Sequence, residues 1–438
     1  MVKAAQTAFS SAAKESPMTD LYLTNGFVID CVTDDPVPFS ATVVLTDGRI
    51  EEVYSANEGP LPDLPPEADV IDLDGRYLMP GLWDSHCHPG GMIPDPHRVT
   101  AFETEPERTL RAVRNTMTAL DVGVTALRSA GEASFIDVAL REAYANQQPT
   151  GLWSKGYEDK PLLGPRMFCA GIGIRITGGH GANRRVEPQY LDAALEADGA
   201  DEVRKATRYV MKMGVDWVKL MITGGIAGIR EGMGESQMTF EEIKAACDAA
   251  HKKGLKVGAH TGAASASKLA VKAGLDAVEH GYQLDEEACE MMAENGVYYC
   301  PTLSVTHDEA YMRRWEWPEY SVERALEGAE RHRRALENAM AAGVKIVNGA
   351  DLNPVADTAI PEIEWVVKAG MSPALALIAS TRRPAELCDV GDVLGTVEVG
   401  KLADLIVLQD NPLEDISALR DVKLVFKEGQ IVVDRFGG

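Results

Sequence analysis

The sequence predicts an α/β fold: a (β/α)8 TIM-like barrel carrying a small β-sandwich built from both chain ends. Two contrasting patterns along the 438 residues carry that expectation. Between residues 81 and 385, short apolar runs alternate with amphipathic helical stretches, as in repeated β/α units. The flanks, 20–80 and 386–438, instead hold short alternating runs punctuated by turn dipeptides. A third observation, eight apolar runs in the middle region, matches the strand number of a closed barrel.

Taken in order, residues 1–19 are rich in Ala and Ser and read as a loosely ordered lead-in. Gln6, Thr7, Ser10 and Ser11 interrupt any signal-peptide apolar region. The next stretch, LYLTNGFVID, contains Asn25-Gly26, and ATVVLTDGRIEEVYS contains Asp47-Gly48; both read as hairpins. The far end, ADLIVLQD and VKLVFKEGQIVVDRF, repeats that character with Glu428-Gly429 at a turn. The eight middle strands are expected within 78–88, 124–131, 166–174, 216–225, 256–262, 277–281, 297–303 and 344–353. Helices lie between them. In TFEEIKAACDAAHKKG, Thr239 is the N-cap, Glu242 completes a capping box and Gly254 ends the helix. SASKLAVKAG and RHRRALENAMAAG also end on glycine.

Composition narrows the function classes. The net charge of −24 opposes nucleic acid or anionic membrane as a partner. No apolar run reaches the length of a membrane span. Seven scattered cysteines without a C-x-x-C argue against a disulfide framework and a zinc knuckle, and they point to a reducing, cytoplasmic setting.

The chemistry gathers at the strand ends. In GLWDSHCHPGG, His86 and His88 stand two apart, on the same side of an extended strand. Cys87 points away and reads as a small buried hydrophobe. Further strands end in or carry Lys219, His260, His280 and Asp351. Each alone has an ordinary reading: a core histidine, a snorkelling lysine, a turn aspartate. Six such residues at C-terminal strand ends form a donor set suited to zinc and its neighbours. Lys219 fits only as a neutral amine that adds carbon dioxide, giving a carbamate able to bridge two metals.

With MPGLWDSHCH, VKLM, GAHTG, EHG, PTL, NGAD and GTVEVGKLADLIVL on the page, nearly the whole chain resembles the amidohydrolase superfamily. That resemblance implies two divalent metal ions, zinc in the first instance. His86, His88 and Asp351 would hold one, His260 and His280 the other, with carboxylated Lys219 bridging. Asp351 would also take the proton of the bridging hydroxide and deliver it to the leaving amine. NGAD replaces the Gly-Thr-Asp of many relatives and keeps the aspartate. ITGGHG, ITGG and EHG…PTL resemble the branch that cleaves Xaa-Pro and other C-terminal dipeptides, which includes enzymes splitting ochratoxin A.

The reading is therefore a hydrolase of N-acyl amino acids or dipeptides, with a small-molecule partner only and a homo-oligomeric assembly. His180 is the candidate second donor to the developing oxyanion. Arg175, Arg184, Arg230 and His307 are candidates for a substrate carboxylate. His97 could line the entrance, and Met233, Trp315 and Trp317 an apolar wall. A cyclic-amide hydrolase of hydantoinase or dihydroorotase type shares the metal pair, and a catalytically dead assembly subunit is the reading from another class.

Overall fold

The computed structural model describes residues 20–62, 64–91, 103–145, 162–182, 194–228 and 231–436. Three sheets organise them. Strands β1 (Leu21–Val28), β2 (Phe39–Thr46), β3 (Arg49–Ser55), β4 (Asp69–Asp72) and β5 (Tyr77–Pro80) come from the N-terminal end. They join β15 (Leu405–Leu408), β16 (Val422–Lys427) and β17 (Gln430–Asp434) from the C-terminal end in one mixed sheet. The inward residues, among them Leu23, Val43, Leu78, Leu405 and Phe426, pack into one apolar cluster.

The middle of the chain forms two parallel sheets. One runs β6 (Leu82–Cys87), β7 (Val124–Ser129), β8 (Arg166–Cys169). The other runs in the order β10 (Ala194–Glu196), β9 (Gly173–Arg175), β11 (Trp217–Met221), β12 (Lys256–Ala263), β13 (Ala277–Gln283), β14 (Tyr298–Cys300). Most of their positions are buried, those of β6 and β7 throughout, as expected where helices cover a parallel sheet. The helix Phe240–His251 carries the anticipated capping box at Thr239 and Glu242. Gly254, Gly274 and Gly343 follow their helices with positive φ.

Four expectations are corrected. Asn25-Gly26 is no hairpin: β1 runs straight through it with a register shift between Leu23 and Gly26, Asn25 taking φ 54°. The bulge divides the strand's other edge, so that residues 21–24 pair with β4 and 27–28 with β5. A Cβ on Gly26 would lie 2.6 Å from the Leu73 side chain, which explains the glycine. Second, the expected sandwich is one continuous eight-stranded sheet, because β5 pairs with both β1 and β15 and so joins the two ends. Third, 166–174 makes two strands, broken where Gly171 takes φ 62°. Fourth, 344–353 makes only an isolated parallel bridge between Tyr299 and Ile346. It lies between β14 and β6 all the same: Val347 N–H donates to the Tyr299 carbonyl at 2.8 Å, and Ser85 N–H to the Asn348 carbonyl at 2.8 Å.

The helix ending RHRRALENAMAAG begins earlier than read and spans Glu319–Ala341. All seven cysteines are free, six of them buried, and Cys87 directs its Sγ toward the Arg128 carbonyl. No helix among the described residues is long and apolar enough to cross a membrane.

Candidate active site

β6 delivers His86 near its end and His88 just beyond it, with ring centroids 5.5 Å apart. In the register of β11 and β12, Met221 stands beside His260 and Lys219 beside Gly258; Thr261 of β12 stands beside His280 of β13. His260 and His280 meet edge to face at 4.5 Å, and His86 and His280 lie 4.7 Å apart. Asp351 closes the group. Its Oδ1 is 3.1 Å from His88 Nε2 and 3.5 Å from His86 Nε2, and its Oδ2 is 3.9 Å from His280 Nδ1. His86, His280 and Asp351 each offer a donor atom within 4.8 Å of the others.

Backbone strain helps to aim these side chains. His280 has φ 68° and Asp351 φ 57°, each in the left-handed region at a cost of about 1–3 kcal/mol. Surrounding bonds hold them there. The His280 carbonyl accepts from the Tyr299 hydroxyl at 2.9 Å and pairs with His332 Nε2 at 3.0 Å, while Asp351 N–H donates to the His86 carbonyl at 2.7 Å.

The electrostatics leave imidazole lone pairs available. Burial, reinforced by Lys219, lowers His86 to about 4 and pushes His280 well below its ordinary value. His260 is likewise pushed well down by burial, with His180 and Lys219 adding to it. Burial also lowers Lys219 to about 8, against the pull of Glu279 and Asp351. Asp351 resists its own burial, because His86 and His88 hold its carboxyl below the ordinary range. Burial opposes charge on His88 too, yet the Asp351 carboxylate raises it. These groups suit a divalent metal. His86 Nε2 is fully buried without a hydrogen-bond partner, an orphan that a metal would satisfy.

Several residues that the strand-end reasoning passed over complete the site. Glu279 Oε2 lies 2.8 Å from His86 Nδ1, and Arg128 Nη1 donates to Glu279 Oε1 at 2.8 Å while its guanidinium covers the Trp217 ring at 3.5 Å. Asp84, raised to about 7 by burial, accepts from the His86 and Ala350 amides. Thr302 pairs with His280 Nδ1 at 2.7 Å. Both acids sit inside quoted motifs, Asp84 in WDSHCH and Glu279 in EHG, and a position within two residues of a histidine was the available signal.

The remaining candidates divide. His180 joins the site, its ring stacked on His260 at 4.0 Å. Arg175 is buried, and its guanidinium reaches the His180 carbonyl at 3.4 Å and Glu196 at 3.6 Å, so it braces the loop after β9. His307 packs between His332 and Trp365, with Nδ1 beside Thr306 Oγ1. Met233, Trp315 and Trp317 belong to an apolar cluster with Tyr282 and Tyr311, and Tyr282 stacks on His280 at 5.2 Å. His97, Arg184 and Arg230 lie outside the described residues.

An α/β frame that carries clustered imidazoles and a carboxylate at its strand ends defines a candidate metallohydrolase. More particularly, the amidohydrolase family model matches residues 77–432, and the chain belongs to that family. It is accordingly a hydrolase acting on C–N amide bonds. It is similar to an ochratoxinase of Aspergillus niger, 30% identical over 374 residues, which span 80% of this chain and 73% of that one. Among solved structures, a prolidase complexed with N-methylphosphonate-L-proline superposes with a TM-score of 0.84 at 30% identity, covering 95% of this chain and all of that one. A Xaa-Pro dipeptidase with bound methionine in its active site gives 0.82 at 29% identity, covering 94% and 99%.

Proposed function

We propose that this enzyme is a binuclear metal amidohydrolase cleaving N-acyl amino acids or dipeptides, carboxypeptidase- or prolidase-like, with ochratoxin A among its candidate substrates. The observation that carries the reading is the convergence of His86, His280 and Asp351 around the orphaned His86 Nε2. The named activities of the ochratoxinase and prolidase relatives support the substrate class.

We read the two parallel sheets as parts of one barrel, with 344–351 as its eighth stave. The Asp216 N–H bond to the Cys169 carbonyl at 2.7 Å, between β8 and the start of β11, supports closure on one side. The Ser85–Asn348 bond supports it on the other. Residues 81–385 are then the hydrolase domain, and 20–80 with 386–438 the smaller one.

His86, His88 and Asp351 would hold one ion, His260 and His280 the second, with carboxylated Lys219 shared between them. Bound there, two zinc ions supply a water acidic enough to attack at neutral pH and a Lewis acid for the carbonyl. Asp351, kept ionised, accepts a proton and returns it to the leaving nitrogen. His180 is the proposed donor to the carbonyl oxygen. Arg184 and Arg230 are the cations proposed for a substrate carboxylate. We further expect a homo-oligomer that works in the cytoplasm on small molecules.

The test pairs metal analysis with a substrate panel of N-acyl-phenylalanines including ochratoxin A, Xaa-Pro dipeptides, hydantoin and dihydroorotate. Two metal equivalents per chain with free amino acid released are expected, and Lys219→Ala should lose both metal and turnover. Ring opening alone would transfer the protein to the cyclic-amide hydrolases. Silence from metal-replete protein, or a Lys219→Ala variant with two metals and full rate, would sink the mechanism.

A further inference from the structure

Several contacts anchor His180. Its Nδ1 lies 2.6 Å from Glu231 Oε1. Its backbone N–H donates to Gln237 Oε1 at 2.9 Å, and the same amide's Nε2 reaches Glu231 Oε2 at 3.4 Å. One face of the ring lies on His260 at an interplanar angle of 16°. Gly225 approaches so closely that a Cβ there would sit 2.3 Å from the imidazole. Outside that loop, the Glu319–Ala341 helix clamps the chain: Arg324 Nη1 donates to the carbonyls of Gly225, Ile226 and Gly228, and Tyr320 Oη to that of Ala227.

We propose that Glu231 is the positioning residue of His180: with Gln237 it holds the imidazole flat on His260, Nδ1–H turned to the carboxylate, so that Nε2 addresses the substrate. This rests on the reading that His180 meets the substrate carbonyl. An ionised carboxylate only accepts, so Nδ1 carries a proton in either charge state of the ring. Burial opposes ionisation of Glu231, yet its bond to His180 keeps it below the ordinary carboxyl range. Nε2 is then the ring nitrogen left to face the substrate, and it donates to a carbonyl oxygen only when the ring carries both protons. Both partners are largely covered, with side chains 17% and 10% exposed, so water competes little for the bond.

Two readouts test this on metal-loaded protein. With only nine histidines in the chain, nitrogen-15 histidine labelling resolves individual rings, and His180→Asn assigns the one in question. A downfield Nδ1–H resonance is expected for His180 in the wild type, absent in Glu231→Ala and restored in Glu231→Gln, whose carbonyl oxygen still accepts. On the best-cleaved N-acyl-phenylalanine, Glu231→Ala should lower kcat about tenfold or more with little change in KM, and Glu231→Gln should recover most of it. An unchanged resonance in Glu231→Ala, or Gln behaving as Ala, would overturn the proposal. Full turnover in His180→Asn would overturn the catalytic role of His180 itself, while the resonance would still report whether Glu231 orients the ring.

Discussion

His86 shows how much of a proposed metal ligand's character is set by a neighbour. Its Nδ1 is taken by Glu279, which leaves Nε2 as the free lone pair. Glu279 stays ionised despite complete burial because Arg128 and His86 hold its carboxyl far below the ordinary range. Removing such a partner typically weakens metal binding by about 10–100-fold. Glu279→Ala should therefore lose metal to a chelator at concentrations that leave the wild type loaded, with Glu279→Gln in between; identical chelator curves would take Glu279 out of the site. Strand periodicity hides this residue. Neighbours on a strand face opposite sides, so picking His280 for the site sends Glu279 outward. The φ of 68° at His280 breaks that alternation and lets both side chains serve the interior.

Among the elements, the least regular is the most consequential. The 344–351 segment carries Asp351 and borders β6 without forming a continuous strand. Gly349 permits the approach: a Cβ there would lie 2.4 Å from the His86 backbone nitrogen, which cannot move aside as a flexible side chain could. Overpacking of this kind costs about 1–3 kcal/mol. Gly349→Ala should lower the melting temperature by several degrees and reduce turnover by more than the stability loss explains, since it displaces His86 against Asp351. Calorimetry with kinetics at a temperature where both proteins are folded checks this; wild-type turnover would dissociate the segment's seating from catalysis. Local signals read other elements correctly. Asp47-Gly48 and Glu428-Gly429 turn hairpins with paired positive φ values, and Thr239 with Glu242 caps its helix. Asn25-Gly26 carries the same dipeptide signal, yet it bulges a strand whose two halves have different partners.

Across the whole molecule, a buried charge cluster ties the parallel frame to the mixed sheet. Arg166 of β8 donates to Asp404 at 2.6 Å and to Glu428 at 2.7 Å, and Lys427 lies 3.3 Å from Asp404. Burial works against the Asp404 charge, but Arg166 and Lys427 bring its carboxyl from 3.8 down to about 2. A depressed carboxyl stabilises the fold above its unfolded value, and that contribution drains away as pH falls from about 4 toward 2. Asp404→Asn leaves two cations buried against a neutral amide and should cost about 3–5 kcal/mol. Urea titrations at neutral pH should show that loss, and between pH 4 and 2 the variant's stability should fall less steeply than the wild type's. Equal midpoints would mean the cluster contributes nothing to holding the two parts together.

The sequence by itself determined the broad alternation of strands and helices, the β character of both chain ends around a different middle, and the kinds of side chain at the strand ends. Those features rest on periods of two and 3.6 residues and on cap and turn residues a few positions apart, all of them local. Only the tertiary structure decided that the two ends share one sheet, that Glu279 orients His86 from 193 residues away, that Glu231 seats His180 from 51, and that Arg166 meets Asp404 across 238. A carboxylate on a strand or loop carries no local mark of the distant imidazole or guanidinium it will meet. Its partner is chosen by packing, where burial makes an unpaired charge too costly to leave alone.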